Sequence, residues 1–410
     1  MANDFLTPSK IVSEGLMHME NSLVMGAMIS KDYSDDYTTV GDTISIRKPA
    51  QYIGQSNNLD ITGYREDIQQ ATVPITMDRT ESIAVQIGAK ERTFSFDRLS
   101  EDVIKPAMIR LADRVEADIA ATYYKFYHFG GTPGTVPSTF KALADVGAIL
   151  SDGAVPTTGR VGIHSPQATA DLADGLKGTY VQSKAKTALE EANFGRYAGF
   201  DSYESVYAPT HVVGVNTGTP LVNGGSQNVT YAASKQTWSQ TLNTDGWTNS
   251  TTGILKKGDV FTIAGVFAVN PVSLVSTGRL QTFTVLADAD SGATTGPAAL
   301  TISPPIIVDG AYKTVTAAPA DNAAITVKTG AGGQGYKQSL LIHPSALTLV
   351  TRKLDIPTGS GVKTSTKSGN AVTISCTEFV DGNTLAQTFR FDILFKAECI
   401  DPRLGARLTN

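Results

Sequence analysis

The side chains of this sequence that could most readily bind a metal or act as nucleophiles are few and scattered. Cys376 and Cys399 lie far apart, without the CxxC spacing of a zinc or redox site. The histidines, none of them in an HExxH or HxH spacing, are His18, His128, His164, His211 and His343. We therefore expect no metal site, no disulfide framework and no nucleophilic cysteine, and we interpret His343 as a packing or helix-entry residue.

Two glycine-rich segments resemble phosphate-binding loops in composition only. Residues 330–335 read GAGGQG, and residues 359–365 read GSGVKTS. A phosphate-binding loop needs lysine followed by serine or threonine at a fixed spacing, with a helix that begins directly afterwards. Neither segment meets both conditions, so we expect no nucleotide site.

The carboxylates cluster at two places, Asp32 with Asp35 and Asp36, and Glu190 with Glu191. Paired carboxylates serve acid–base chemistry or bind a hard cation, but they more often form a solvated face or a polar turn. The sequence also has no GxSxG elbow. We predict that the chain is not an enzyme and has no catalytic, cofactor-binding or metal-binding residue.

Composition limits the class of protein. The chain has 410 residues, of which 41% are hydrophobic and 18% charged, so it can bury a sizeable core. Its net charge of -5 is not that of a protein that binds nucleic acid by neutralising phosphates. The N-terminus lacks a basic start followed by an apolar run, and no apolar stretch is long enough to cross a membrane. We expect an intracellular product with no membrane partner.

The first 85 residues contain two kinds of pattern. Residues 1–40 carry an amphipathic stripe, which predicts either an ordinary helix on its own domain or an arm that lies on a neighbouring subunit. Residues 43–47 and 72–76 alternate as strands on either side of a polar segment, residues 51–70. This pattern predicts a long hairpin, and such a polar tip fits a hairpin that finds its partners on another chain.

The strongest helical pattern covers residues 100–128, with apolar residues at a 3.6-residue repeat and Pro106 near its start. Shorter helices are predicted at 141–150, 165–176 and 181–192. Near the end of the chain, residues 372–400 predict a hairpin with one apolar face.

Residues 214–333, here called the insert, differ in composition from the rest of the chain. They contain 20 Thr and 15 Gly but only 12 charged residues. Short alternating segments recur between turn residues and predict a small all-β barrel or sandwich without a helix. The predicted strands are 259–268, 280–286, 299–303, 312–316 and 325–328. Mixed α/β character returns after the insert, so it interrupts a discontinuous host domain.

Taken together, these segments resemble the major capsid proteins of tailed bacteriophages with the HK97-type fold, in the P22-like branch that carries an inserted I-domain. The most specific similarity is residues 257–267, KGDVFTIAGVF, continued by LQTFTV at 280–285 and TISPPI at 301–306. Further similar segments are YAGFD at 197–201, IHPSAL at 342–347, LVTR at 349–352, RFDIL at 390–394 and DPRLGAR at 401–407.

The resemblance implies an α+β HK97-type fold with an inserted all-β barrel. Its segments would be an N-terminal arm at 1–40, an E-loop at 41–85, a P-domain with the spine helix and C-terminal hairpin at 86–134 and 371–410, an A-domain at 135–213 and 334–370, and the I-domain at 214–333. Some HK97-type coats crosslink a lysine to an asparagine. In the E-loop region Lys48 is the only lysine before Lys90, and nothing further in the sequence supports such a crosslink.

The resemblance also implies the partners. Hundreds of copies would form hexamers and pentamers of an icosahedral virion shell, in the T=7 arrangement that the resemblance suggests. Assembly would take place in the host bacterial cytoplasm with a scaffolding protein and a portal protein, and the shell would expand as double-stranded DNA is packaged. The slight negative charge fits weak, non-specific contact with that DNA.

Two other interpretations remain open at this point. A Thr- and Gly-rich β domain could belong to a glycan-binding or decoration module of a virion, in which case Trp238 and Trp247 are the tryptophans available for binding. An encapsulin-like cellular shell shares the fold, but such shells usually lack an insert of this kind.

Overall fold

The computed structural model describes residues 8–33, 42–53, 68–88, 103–175, 195–356, 362–369, 372–382, 384 and 386–410. The chain forms two compact units, each built from three stretches of sequence. The first unit comprises Met1–Ile44, Pro74–Thr122 and Leu347–Glu398, and the second comprises Ser45–Val73, Tyr123–Ala346 and Cys399–Asn410. Both contain helices and strands, so the predicted α+β class is confirmed.

The helices of the first unit are α1 (Pro8–Ser22), α2 (Met25–Met28) and α3 (Lys105–Ala121). Helix α1 packs against α3. Its stripe and the residues after it bury apolar side chains within the same chain, namely Ile11, Val12, Leu16, Met19, Leu23 and Met25. Of the two interpretations of this segment, the described part fits the helix that packs on its own domain.

Glu116 of α3 holds the start of α2. Its two carboxylate oxygens accept hydrogen bonds from the backbone amides of Met25 and Gly26, each at 3.0 Å. The side chain is buried, and burial raises its pKa, which the two backbone hydrogen bonds partly offset.

The prediction of one helix over residues 100–128 was wrong at its C-terminal end. Helix α3 ends at Ala121, a 3₁₀ turn follows at Thr122–Lys125, and β4 (His128–Gly130) begins soon afterwards. Phe126 is fully buried, and the backbone of β4 pairs with the last strand of the chain, so sheet pairing overrides the helical pattern there. Residues 100–102 lie outside the described residues.

The sheet of the first unit has five strands, β16, β19, β18 and β17 in that order, with β3 paired to β19. Their bounds are Arg79–Ile87 for β3, Leu347–Arg352 for β16, Val362–Ser368 for β17, Thr373–Asp381 for β18 and Ala386–Cys399 for β19. The predicted C-terminal hairpin is confirmed as β18 and β19. Its apolar face is buried, as the alternation indicated, through Phe389, Phe391, Ile393 and Phe395.

The predicted N-terminal hairpin is confirmed as the two-stranded pair of β1 (Thr43–Arg47) and β2 (Thr72–Thr76). Beyond these strands the amide of Lys48 still donates to the carbonyl of Ala71, at 2.9 Å. Most of the polar tip, residues 54–67, lies outside the described residues.

The second unit contains a seven-stranded mixed sheet in the order β4, β20, β15, β5, β7 and β6, with β8 paired to the other end of β15. Its further strands are β5 (Val161–His164), β6 (Arg196–Tyr197), β7 (Phe200–Glu204), β8 (Thr210–Val212), β15 (Gly335–Ile342) and β20 (Gly405–Thr409). The predicted helices at 141–150 and 165–176 are confirmed as α4 (Phe140–Asp152) and α5 (Pro166–Gly175). The helix predicted at 181–192 lies outside the described residues.

The insert forms an antiparallel six-stranded sheet in the order β14, β11, β12, β13, β10 and β9. These strands are β9 (Gly218–Val222), β10 (Gln240–Trp247), β11 (Val260–Val269), β12 (Ser276–Val285), β13 (Ala298–Ser303) and β14 (Ile325–Val327). A bridge between Leu221 and Ala324 brings the two edge strands together, so the sheet is nearly closed into a barrel. Its core is apolar and includes Phe261, Phe283 and Trp247.

Two predictions inside the insert were wrong. Residues 312–316 do not form a strand of the barrel, because the amides of Thr314 and Val315 donate to the carbonyl of Ile307 and leave only one bridge to β11. A short helix, α6 (Tyr231–Ser234), is present where none was expected. The Ser234 hydroxyl donates to the carbonyl of Thr230, which supports this single turn locally.

Candidate functional site

The most elaborate polar arrangement among the described residues lies inside the second unit, where the insert meets the seven-stranded sheet. We call it the root cluster, and its members are Tyr123, His211, Asp259, Thr284, Thr329, Gln338 and Arg407. Asp259 and Arg407 are fully buried, and His211 is almost so. A buried polar group lowers stability unless it is hydrogen-bonded, so the partners of these groups decide what the cluster does.

Asp259 is the centre of the root cluster. Its Oδ1 accepts hydrogen bonds from the Thr329 hydroxyl and from His211 Nε2, each at 2.8 Å. Its Oδ2 accepts from the backbone amides of Gly214 at 3.0 Å and Lys256 at 2.7 Å. The carboxylate therefore joins the first residue of the insert, the segment before β11 and the segment after β14.

His211 of β8 connects this carboxylate to Tyr123 of the 3₁₀ turn. Its Nδ1 lies 2.9 Å from the Tyr123 hydroxyl, on the opposite side of the ring from Asp259. With the ring proton on Nε2, the histidine donates to Asp259 and accepts the Tyr123 O–H. Burial raises the pKa of Tyr123, which keeps this hydroxyl a donor.

Arg407 of β20 reaches into the insert from the seven-stranded sheet. Its Nη1 donates to the carbonyl of Gly258 at 2.7 Å, and its Nη2 donates to the Thr284 hydroxyl at 3.2 Å. Its guanidinium also lies 5.7 Å from the ring centroid of Tyr123. Burial lowers the pKa of Arg407 to about 10, so the side chain remains a cation at neutral pH.

The chain enters and leaves the insert side by side at this place. The amide of Gly333 donates to the carbonyl of Val213, and Val213 in turn donates to the carbonyl of Gln334. A Cβ atom at Gly332 would lie 2.0 Å from the carbonyl oxygen of Val215. Glycine is therefore required where the two connections pass each other.

The Tyr123–His211–Asp259 series has the order of an acid–base triad, but the burial of His211 and Asp259 prevents that chemistry. A general base must come within hydrogen-bond distance of a substrate proton, and both ring nitrogens of His211 are already engaged inside the protein. Asp259 and His211 are 0% and 1% exposed. The arrangement is suited to fixing the insert on its host sheet.

Three further histidines from the sequence, His128, His164 and His343, lie at separate places in the second unit. Burial lowers the pKa values of His128 and His164 to about 4. The Nδ1 atom of His343 accepts the amide of Ser345 at 3.3 Å, at the start of a 3₁₀ turn, as expected of a helix-entry residue. No group of three or more His, Cys, Asp or Glu side chains in the described part of the chain could hold a metal ion.

The remaining candidates from the sequence are spread over the molecule. Cys376 and Cys399 are both buried, and burial raises the pKa of Cys376 to about 12. Asp32 accepts a hydrogen bond from the Ser30 hydroxyl at 2.8 Å, in a polar turn. The other carboxylates of the two acidic clusters, Asp35, Asp36, Glu190 and Glu191, lie outside the described residues.

The two tryptophans do not form an open platform. Trp247 is buried in the barrel, and its indole N–H donates to the Thr244 hydroxyl at 2.8 Å. The ring of Trp238 contacts the edge of Tyr231, and the Lys48 ammonium lies 5.9 Å from its centroid. Stacking of a sugar ring would require these contacts to open.

Sequence reasoning did not find the root cluster. Its members come from distant parts of the chain, and no local spacing connects them. The available signal was Arg407, a cation between Ala406 and Leu408 in a short strand that is buried throughout. Such a residue indicates a buried polar partner, although the sequence does not say which.

Among the helices that the structure describes, none has the length and apolar character needed to span a membrane.

Comparison with known proteins gives one family over the full sequence. The model of the P22 coat protein family, gene protein 5, matches residues 1–410. A major capsid protein of Acyrthosiphon pisum secondary endosymbiont phage 1 is 24% identical over 383 residues, which covers 90% of this chain and 89% of that protein.

Solved structures of phage proteins are also similar to this chain. A structure from Mycobacterium phage Che8 is 11% identical, with a TM-score of 0.47, and the match covers 94% of this chain and 90% of that one. The I-domain of the CUS-3 coat protein is 28% identical, with a TM-score of 0.20, and the match covers 28% of this chain and 98% of that domain.

Proposed function

The chain belongs to the P22 coat protein family and is a phage major capsid protein, and we propose that it assembles with a scaffolding protein around a portal into a shell that expands during DNA packaging. The family match over the whole chain carries this proposal. Assembly is proposed to take place in the cytoplasm of the host bacterium.

Exposed apolar residues on the hairpin support its use as a contact between copies. We call residues 48–53 and 68–72 the hairpin stem. Tyr52, Ile53 and Ile68 are 57%, 55% and 72% exposed. Burying large apolar side chains of this kind against a neighbouring copy would contribute about 1.5 to 3 kcal/mol each.

We propose the division into segments that the family resemblance implies. Residues 1–40 would be the N-terminal arm, 41–85 the E-loop, and 214–333 the I-domain. The P-domain would comprise 86–134 and 371–410, and the A-domain 135–213 and 334–370. The six strands of the nearly closed barrel all fall between Gly218 and Val327, which supports the proposed I-domain limits.

The role proposed for the root cluster is structural. The P22-like insert would stabilise the subunit by a buried, hydrogen-bonded attachment to the host sheet. Contact with packaged DNA is proposed to be weak and non-specific, since a net charge of -5 gives no surplus of cations for phosphate binding.

The experiment that tests this function is sedimentation velocity combined with negative-stain imaging of the purified chain, alone and with the scaffolding protein encoded in the same phage genome. We expect closed shells of uniform wall thickness when the scaffold is added. A chain that stays monomeric with its scaffold, over a range of concentration and salt, would contradict the assembly proposal.

A further inference from the structure

The hairpin stem is held against the insert at one phenol group. The hydroxyl of Tyr312 accepts a hydrogen bond from the amide of Gln51 at 3.0 Å. The same hydroxyl donates to the carbonyl of Gln69 at 2.9 Å. Gln51 and Gln69 lie on opposite arms of the hairpin, so one side chain of the insert binds the backbone of both arms and uses its donor and its acceptor in doing so.

This hydroxyl continues the pairing of the hairpin where direct pairing ends. The ladder of β1 and β2 stops at Arg47 and Thr72, and the Lys48–Ala71 backbone hydrogen bond follows it. At Gln51 and Gln69 the phenol lies between the arms and takes the place of a direct backbone hydrogen bond. The insert thereby connects the two arms beyond the end of their own ladder.

Tyr312 is itself held by an aromatic group of the insert. Its ring stacks on Tyr231 of α6, with centroids 3.5 Å apart and planes 3° from parallel. Tyr231 in turn contacts Trp238 edge-on, at 6.2 Å between centroids. A stacked phenol loses little further conformational freedom when it binds, which favours a defined hydrogen-bond geometry.

Further contacts hold the stem at the same face of the insert. The Thr72 hydroxyl donates to Oε1 of Gln236 at 2.9 Å. The Lys48 ammonium lies over the Trp238 ring. The side-chain amide of Gln51 has one orientation in which both its nitrogen and its oxygen form hydrogen bonds. In that orientation its Nε2 donates to the carbonyl of Ala311 at 3.2 Å. These contacts involve both arms, so the stem is fixed in direction as well as in position.

We propose that Tyr312 is a latch that fixes the hairpin stem on the insert of the unassembled subunit, so that the insert sets the direction in which the hairpin projects. The consequence for shells rests on the proposed function, since the hairpin matters for assembly only if the chain is a shell subunit. The latch itself is a property of the free chain.

The test is hydrogen exchange of the unassembled full-length chain, measured at the Gln51 amide in wild type and in Tyr312→Phe. Phenylalanine keeps the stack on Tyr231 and removes the single oxygen that binds the stem. We expect the Gln51 amide to exchange about tenfold faster in Y312F, as the loss of one well-formed hydrogen bond implies. The matched control is Tyr203→Phe, at a half-exposed tyrosine of β7, which should leave this amide within about twofold of wild type.

Amides of β11 and β12 report whether the barrel stays folded, and they should be unchanged in both variants. Equal exchange of Gln51 in wild type and Y312F, with a folded barrel, would overturn the latch. Faster exchange in Y312F and Y203F alike would also overturn it, because the effect would then not be specific to the Tyr312 hydroxyl. Failure of the wild-type chain to form shells with its scaffold would count against the proposed function, and the exchange result would still decide on the latch.

Discussion

At the scale of single residues, Asp259 has the most demanding environment of the root cluster. Four donors converge on its carboxylate, two of them backbone amides that cannot turn away. An asparagine in this place would direct its NH₂ group at donors on one side. The side chain would keep its shape, but one of the two oxygen acceptors would be replaced by a donor.

We expect Asp259→Asn to lower the free energy of unfolding by about 3 kcal/mol, because buried donors are left without an acceptor. The measurement is urea denaturation of the full-length chain. The control is Asp288→Asn, at an exposed carboxylate that accepts the amide of Lys257 at 2.7 Å. It should cost less than about 1 kcal/mol. Equal losses for the two variants would contradict a special role of Asp259.

His128 makes the stability of the chain depend on pH. Burial lowers its pKa to about 4 from the model-compound value of 6.5, and its Nε2 is buried with no hydrogen-bond partner. A group with a depressed pKa in the folded state contributes stability that is fully present above pH 6.5 and is lost as the pH falls toward 4. Protonation in the unfolded chain is then favoured over protonation in the fold.

We therefore expect the unfolding free energy of the wild-type chain to fall by about 3 kcal/mol more than that of His128→Gln between pH 7 and pH 4. Glutamine stays neutral throughout, so any steric effect of the substitution is the same at every pH. His164 has the same depressed pKa and is present in both proteins, so its contribution cancels. If the unfolding free energies of the two proteins ran parallel between pH 7 and pH 4, His128 would be excluded as the source of the pH dependence.

At the scale of elements, the sequence predicted those parts of the fold that local pattern decides. The hairpin strands, the C-terminal hairpin and helices α4 and α5 follow from alternation or helical periodicity. The C-terminal end of α3 does not, because the helical pattern continues to residue 128, whereas residues 128–130 pair with β20, far away in sequence. Only the tertiary partner decides whether these residues continue the helix or form a strand.

The same reasoning explains why the candidate site could not be predicted. Asp259 belongs to the segment KGDVF, which reads as a turn leading into a strand, and nothing in it indicates that His211 or Thr329 is a partner. Tyr312 also lay in a segment predicted to be a strand, because Thr314 and Val315 favour strands locally. Their backbone amides donate to the carbonyl of Ile307 instead, and Tyr312 contacts the hairpin stem.

The insert is the element that we expect to fold by itself. Its apolar core draws on residues between Val222 and Ile325 and needs no side chain from outside. A fragment of residues 214–333 would lose the partners His211 and Arg407 but would keep the Gly214, Lys256 and Thr329 donors to Asp259.

We expect this fragment to give the far-ultraviolet circular dichroism of a β protein and a cooperative thermal transition. Its melting temperature should lie below that of the same transition in the full chain, since two buried partners are missing. The random-coil spectrum of a disordered chain would contradict the independence of the insert.

At the scale of the whole molecule, folding and assembly place different demands on the same hairpin. Within the subunit, Tyr312 and its neighbours hold the backbone of the stem. Tyr52, Ile53 and Ile68 remain exposed, and we propose that another copy of the chain covers their apolar surface. A shell repeats each contact in every subunit, so a modest loss per copy has a large effect on the particle.

We expect Ile68→Asp to fold like the wild type and to reduce the yield of closed shells at least tenfold. The substitution removes apolar area that a neighbour would bury and adds a charge that the contact would have to desolvate. Gln70→Asp is the matched control, because it adds the same charge at an exposed polar position of the same stem. The measurement is the fraction of protein in particles by sedimentation velocity after addition of the scaffold, with circular dichroism to verify the fold. Normal shells from I68D would show that this stem does not contribute the contact, whereas equal loss in Q70D would show that charge alone, and not apolar burial, limits assembly.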